Sequence, residues 1–168
     1  MRILGICWLF LVQCMLANPV FAQQGDSDPR PGSAFCTFDD GKEVSVRYNP
    51  VVKDEPHNGR VWLPGGYSIT LFTQAPLALN NSPIAIGAYS VYVIPDKKEW
   101  TLIVNKNVTE GAPYNDRDDV ARSPMELGEV DSPPKTLKVS LAHSGSTKCG
   151  IRLYYGKVGA FADFAEQP

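Results

Sequence analysis

The chain predicts an all-β fold, an antiparallel β-sandwich of jelly-roll-like type built from about eight or nine short strands. Three observations carry this expectation. Apolar and polar residues alternate with a period of two through most of the sequence, the mark of half-buried strands. Fourteen glycines and fourteen prolines are scattered over 168 residues instead of gathering in one tract, so they punctuate short segments. Almost nothing reads as helix, and of the two architectures open to such a chain, two packed sheets are favoured over a barrel.

Ahead of the strands stands a leader. Arg2, an apolar run over residues 3–17, Asn18-Pro19 and the small-residue site Val20-Phe21-Ala22 make residues 1–22 a secretory signal peptide cleaved after Ala22. The run is about fifteen residues, short of the roughly twenty that a membrane-spanning helix needs. Leu11-Val12-Gln13-Cys14 offers a competing lipidation site, but Gln13 is larger than such processing favours. The expected setting is secreted or periplasmic, with a membrane met only through the transient leader. Residues 23–33 are rich in Gly, Asp, Ser and Pro, hold no aliphatic side chain and read as a flexible tether. A single domain then occupies residues 34–168.

Strand by strand, the first hairpin joins residues 34–38 to 43–48 through Asp40-Gly41, a pair suited to left-handed turn angles. In the second arm Val44, Val46 and Tyr48 share one face and Glu43, Ser45 and Arg47 the other. Residues 67–73 alternate again after a charged loop. Short apolar pieces at 77–79 and 84–86 flank Asn80-Asn81-Ser82-Pro83 and suggest a looser hairpin. Residues 87–105 carry the strongest signal: two arms rich in aromatic and β-branched residues, apolar on both faces, around Asp96-Lys97-Lys98. Such arms belong in the middle of a sheet, covered on two sides. Residues 106–124 are polar, with a helical turn expected at 116–122, and a loop of that length invites a functional reading. Strands at 136–142, 148–155 and 160–164 close the chain.

Cleavage would remove Cys7 and Cys14 and leave Cys36 and Cys149 as a pair in an oxidising compartment. Cys149 shares its face with Ile151, Leu153 and Tyr155, and Cys36 lies in register with Phe38, so both sulfurs point to one core. A disulfide between the first and penultimate strands is expected. The whole chain holds 16 basic and 18 acidic residues for a net charge of −2, and no Lys or Arg cluster, which argues against nucleic acid.

The central hairpin, Gly87-Ala88-Tyr89-Ser90-Val91-Tyr92-Val93-Ile94-Pro95 followed by Glu99-Trp100-Thr101-Leu102-Ile103-Val104-Asn105-Lys106, resembles the secreted bacterial proteins grouped as domain of unknown function 2911. Asp118-Asp119-Val120-Ala121-Arg122 with Met125, and Cys149-Gly150-Ile151-Arg152-Leu153, resemble two further stretches of that family, so that the likeness spans most of residues 35–155. One departure stands out. Many members carry Trp-Arg-x-Gly-Ala-Asn before the hairpin, where this chain has Val61-Trp62-Leu63-Pro64-Gly65-Gly66-Tyr67. If that segment forms a polar site in relatives, this chain has lost or replaced it. The resemblance implies an all-β secreted domain and no established activity.

Sites are sparse. His57 and His143 are the only histidines and lack paired spacing, which speaks against a transition-metal centre. Asn115, Asp116, Asp118 and Asp119 suggest a calcium loop but miss the glycine and glutamate positions that the helix-loop-helix pattern needs. A helical turn closed by an Asp118–Arg122 pair is the plainer account. No nucleophile elbow and no cofactor motif is present. Asn107-Val108-Thr109 matches a glycosylation pattern by chance in a leader of bacterial type.

The favoured role is a binding module for an unidentified small molecule, sugar or peptide. Residues 106–124 and 60–67 would supply the contact surfaces. Tyr114, Asp118, Asp119, Arg122, Arg152 and Tyr154 are the candidate ligand residues, Tyr154 because parity turns it outward beside Arg152. Two alternatives compete: a hydrolase using Asp118 or Asp119 with Arg122 as an anion clamp, or a structural component of the envelope.

Overall fold

A computed structural model describes residues 30–63 and 66–168, so the leader, its cleavage site and most of the 23–33 tether lie outside the described residues. Eleven strands follow one another: β1 (Gly32–Thr37), β2 (Glu43–Tyr48), β3 (Ile69–Thr73), β4 (Leu77–Leu79), β5 (Ser82–Ile84), β6 (Gly87–Ile94), β7 (Trp100–Asn105), β8 (Asp119–Glu129), β9 (Lys138–Gly145), β10 (Lys148–Tyr155) and β11 (Val158–Glu166). A 3-10 turn at Asp116–Asp118 is the sole helical element among the described residues. All neighbouring strands are antiparallel, in the order β1-β2-β3-β6-β7-β8-β11-β10-β9, with the β4–β5 hairpin attached to β11.

The order is continuous, and it curls until its first strand lies alongside its last. The result is a nearly closed barrel, where the sequence suggested two stacked sheets of jelly-roll-like type. The strand responsible is β8, which pairs with β7 from Asp119 to Met125 and with β11 from Glu126 to Glu129, carrying the chain around the corner. Alternation announces that one face is buried and leaves open how many sheets enclose the core.

The seam between β1 and β9 is closed from inside by a disulfide. Cys36 on β1 and Cys149 on β10 are bonded with their Cα atoms 6.1 Å apart, both buried, as parity required. A disulfide belongs to an oxidising, extracytoplasmic setting. Among the described residues no helix is long and apolar enough to cross a membrane.

Several segments differ from the expected ones. β1 starts at Gly32, two residues before the expected domain start, because Gly32 and Ser33 already pair with Tyr48 and Arg47. The looser hairpin is tight: Asn80 and Asn81, at φ 47° and 63°, form the two-residue turn that strand twist favours, and Pro83 sits in the edge strand β5. The helical turn expected at 116–122 stops at Asp118, and Asp119 opens β8.

The central hairpin is β6–β7, fifth place of nine belonging to β7. Val91, Val93, Leu102 and Val104 enter the core cluster. Tyr92 and Ile103 are buried as well, yet stand outside that cluster. What meets Tyr92 from without is the long connection 106–118, whose Tyr114 ring lies edge-on to it at 5.0 Å. The loop singled out in the sequence is thus a flap laid over the outer face of the barrel.

Candidate functional site

The flap is held by a cluster that starts at the end of β7. Asn105 is 1% exposed, and a buried carboxamide must find partners. Its Nδ2 donates to Asp119 Oδ1 at 2.8 Å and to the Asn115 carbonyl at 2.9 Å, while its Oδ1 accepts from the Asn107 N–H at 2.9 Å. Asp119 reaches Asn105 because of a bulge. Val104 pairs with Ala121 and Asn105 with Asp119, leaving Val120 as an extra residue on β8. Val120 packs against the core beside Ala121, so Asp119 is turned to the outer face that strict alternation would deny it.

On that face Asp119 Oδ2 accepts from the Tyr114 hydroxyl at 2.7 Å and from Arg122 Nε and Nη2 at 2.8 and 2.6 Å. Arg122 Nη2 also donates to the Tyr114 oxygen at 2.7 Å. Burial, then the hydrogen bond to Asp119 and its charge, push the Tyr114 phenol up to about 12. The same carboxylate, through its hydrogen bond, raises the Arg122 guanidinium above its ordinary value. Three of the sequence candidates therefore meet, and they meet one another.

Asp118 does not join them. Its carboxylate accepts from Asn115 Nδ2 at 3.0 Å and lies 3.4 Å from Lys106 Nζ. The expected Asp118–Arg122 pair needed a helix, and in its place Arg122 pairs with Asp119. Among the described residues no three His, Cys, Asp or Glu side chains stand together as metal ligands. His143 lies 3.9 Å from Asp39 across the seam, and His57 lines a cleft with Asp54 and Glu55.

With its base latched, the flap raises one wall of a groove. Val108 and Glu110 face Tyr67, Ser68 and Thr70 at the start of β3 and Arg47 on β2 across a space of about 600 Å³. Tyr67 is 45% exposed, with Lys53 Nζ 4.8 Å above its ring, and Ser68 Oγ is 3.1 Å from Ser90 Oγ. The two loops named as contact surfaces share this groove only through Tyr67. Trp62 and Leu63 line the cleft of His57 instead, with the Trp62 indole N–H donating to the Asp54 carbonyl at 2.8 Å.

Arg152 and Tyr154 stand elsewhere, on the outer face of β10, where each approaches Phe161 of β11. Arg152 borders a different groove, of about 500 Å³. The six candidates thus divide between two places. Sequence reasoning passed over Asn105, Phe161, Glu126 and Asp163. A signal existed for Asn105, a polar residue ending a strand apolar on both faces; for the other three, only the strand pairing brings them to Arg152.

Residues 36–162 match a family described as a protein of unknown function (DUF2911). No curated protein and no solved structure matches the chain.

Proposed function

Because the chain belongs to the DUF2911 family, whose description records no activity, we propose its role from geometry: an exported binding protein that holds a small polar ligand under the tip of its flap. Export rests on the basic-apolar leader of residues 1–22 with its cleavage site after Ala22, and on the Cys36–Cys149 bridge. Binding rests on one observation above all. The flap groove brings Arg47, Tyr67, Ser68, Thr70 and Glu110 around a concave space large enough for a sugar unit or a short peptide.

The hydrolase reading draws less support. Asp119 already accepts from Asn105, Tyr114 and Arg122, and Asp118 is engaged by Asn115 and Lys106, so neither carboxylate is placed to act on a substrate. In this reading Tyr114, Asp119 and Arg122 position the flap and do not touch the ligand. A structural envelope role would draw on Phe35 and Phe72, both exposed and aligned through Ser45, and would appear as adsorption to envelope fragments that Phe35→Ser abolishes.

A thermal-shift screen of the exported protein against oligosaccharides, short peptides and divalent ions tests the binding reading, since a ligand of the native state must raise the midpoint. Arg47→Ala and Tyr67→Ala should each abolish the shift produced by an oligosaccharide hit. An oligosaccharide whose shift survives both substitutions overturns the assignment of the groove.

A further inference from the structure

The strand order leaves an opening on the other side of the barrel. β8 joins β11 only from Glu126 onward, and β11 next finds a partner on that edge at Phe164, opposite Leu79. At Ala162 and Asp163 this edge faces no strand. Ser123 and Pro124 stand across the gap, and the space between them is the groove of about 500 Å³ that Arg152 borders.

The register sets its charges. Arg152 lies opposite Phe161, and Phe161 opposite Glu126, so a guanidinium and a carboxylate flank one aromatic ring. Two strand spacings separate them, about 10 Å between backbones. The ring reclines because glycines leave it room: a Cβ at Gly159 would stand 2.8 Å from Phe161 Cζ, and one at Gly128 3.2 Å from Cε2. Gly150 does the same for Asp163, whose Oδ1 lies 2.7 Å from where its Cβ would be. Such glycines in strand interiors mark close approach. Tyr154 meets the ring edge-on at 6.0 Å.

Arg152 sits 5.8 Å over the Phe161 ring, and among the described residues neither it nor Glu126 makes a hydrogen bond or ion pair. Asp163 accepts a single hydrogen bond, from Ser144 Oγ at 3.2 Å.

We propose that this groove binds a short zwitterionic peptide, its terminal carboxylate on Arg152 and its ammonium group between Glu126 and Asp163. A neutral sugar would leave charges of both signs without a counter-charge, whereas a free peptide answers each. Three extended residues span about 10 Å, the width of the row. The peptide crosses the strands over Phe161, and its apolar side chains meet that ring. The site is separate from the flap groove and stands or falls independently of it.

Isothermal titration of the oxidised protein with trialanine tests this, beside N-acetyl-trialanine, trialanine amide and maltotriose. Trialanine should bind, and blocking either terminus should weaken it tenfold or more. Arg152→Gln should weaken trialanine to the level of its amide and leave the amide unchanged; Glu126→Gln should do the same for the acetylated form. Lys97→Ala, on the exposed turn between β6 and β7, should change nothing. Absence of heat with trialanine at millimolar concentration, equal binding of the blocked peptides, or preference for maltotriose overturns the proposal, and the blocked peptides decide it even if a variant fails to fold.

Discussion

The flap cluster and the β8–β11 groove contain the same chemical ingredients, an arginine, carboxylates and aromatic rings, arranged to opposite ends. Around Asp119 every strong donor in reach is already directed at the carboxylate, and the group acts as a fastening. Around Phe161 the arginine and the glutamate flank the ring without meeting each other. Convergence of reactive-looking residues therefore says little by itself; what separates a fastening from a binding surface is whether the hydrogen-bonding capacity is already engaged.

Both regions hang on a frame whose strength sets the scale. Breaking the Cys36–Cys149 bridge, which spans 113 residues, should lower unfolding free energy by about 4–5 kcal/mol in the chain-entropy account, with strain and residual structure reducing it. Urea unfolding with and without reductant measures the difference. A loss below that of the flap substitutions would mean that the seam is held by packing instead.

Next in size is Asp119→Ala, which leaves buried Asn105 without a main partner and frees Tyr114 and Arg122. It should cost about 2–3 kcal/mol, the range for removing charged hydrogen-bond partners, and should release the flap, seen as faster amide exchange over residues 106–118. Unchanged exchange would reduce the cluster to decoration.

Tyr114→Phe removes one hydroxyl and should cost about 1 kcal/mol. It also carries a pH signature. The folded phenol is raised to about 12 from an ordinary 10.0, so above pH 10 the unfolded chain loses its proton first. The contribution is fully present below pH 10 and fades as pH climbs toward 12. The midpoint difference between the native protein and Tyr114→Phe should therefore shrink from pH 9 to 11.5; a constant difference would contradict the sign.

The smallest effect sharpens the contrast most. Arg152→Gln should change stability by no more than about 0.5 kcal/mol, as for a surface residue away from special features. A loss comparable to that of Asp119→Ala would place Arg152 among the fastenings.

Much of the frame was legible in the residues themselves. The facing of Cys36 and Cys149 and the outward turn of Arg152 and Tyr154 follow from a period of two, and the double covering of the β6–β7 hairpin follows from arms apolar on both faces; local side-chain order encodes both signals. The barrel was not legible, since whether β8 continues from one neighbour to the next depends on pairing between distant segments. Nor was β8 itself: its inward row Ala121, Ser123 and Met125 is interrupted by a serine, and the aspartates before it suggested a helical start. In the flap cluster, residue type singled out Tyr114, Asp119 and Arg122 but also Asp118, which a helical period would have turned toward Arg122. The bulge, invisible as composition, chose Asp119.

That bulge works like a phase slip in a periodic signal. A strand carries a two-state code, inside or outside, and one added position at Val120 inverts the code for everything before it while leaving Ala121 to Met125 untouched. A pairing that took up Val120 as an ordinary position of the ladder would swing the Asp119 carboxylate toward the apolar lumen. The phase in which β8 is paired to β7, more than the chemistry of any one side chain along it, therefore decides whether the flap has its anchor.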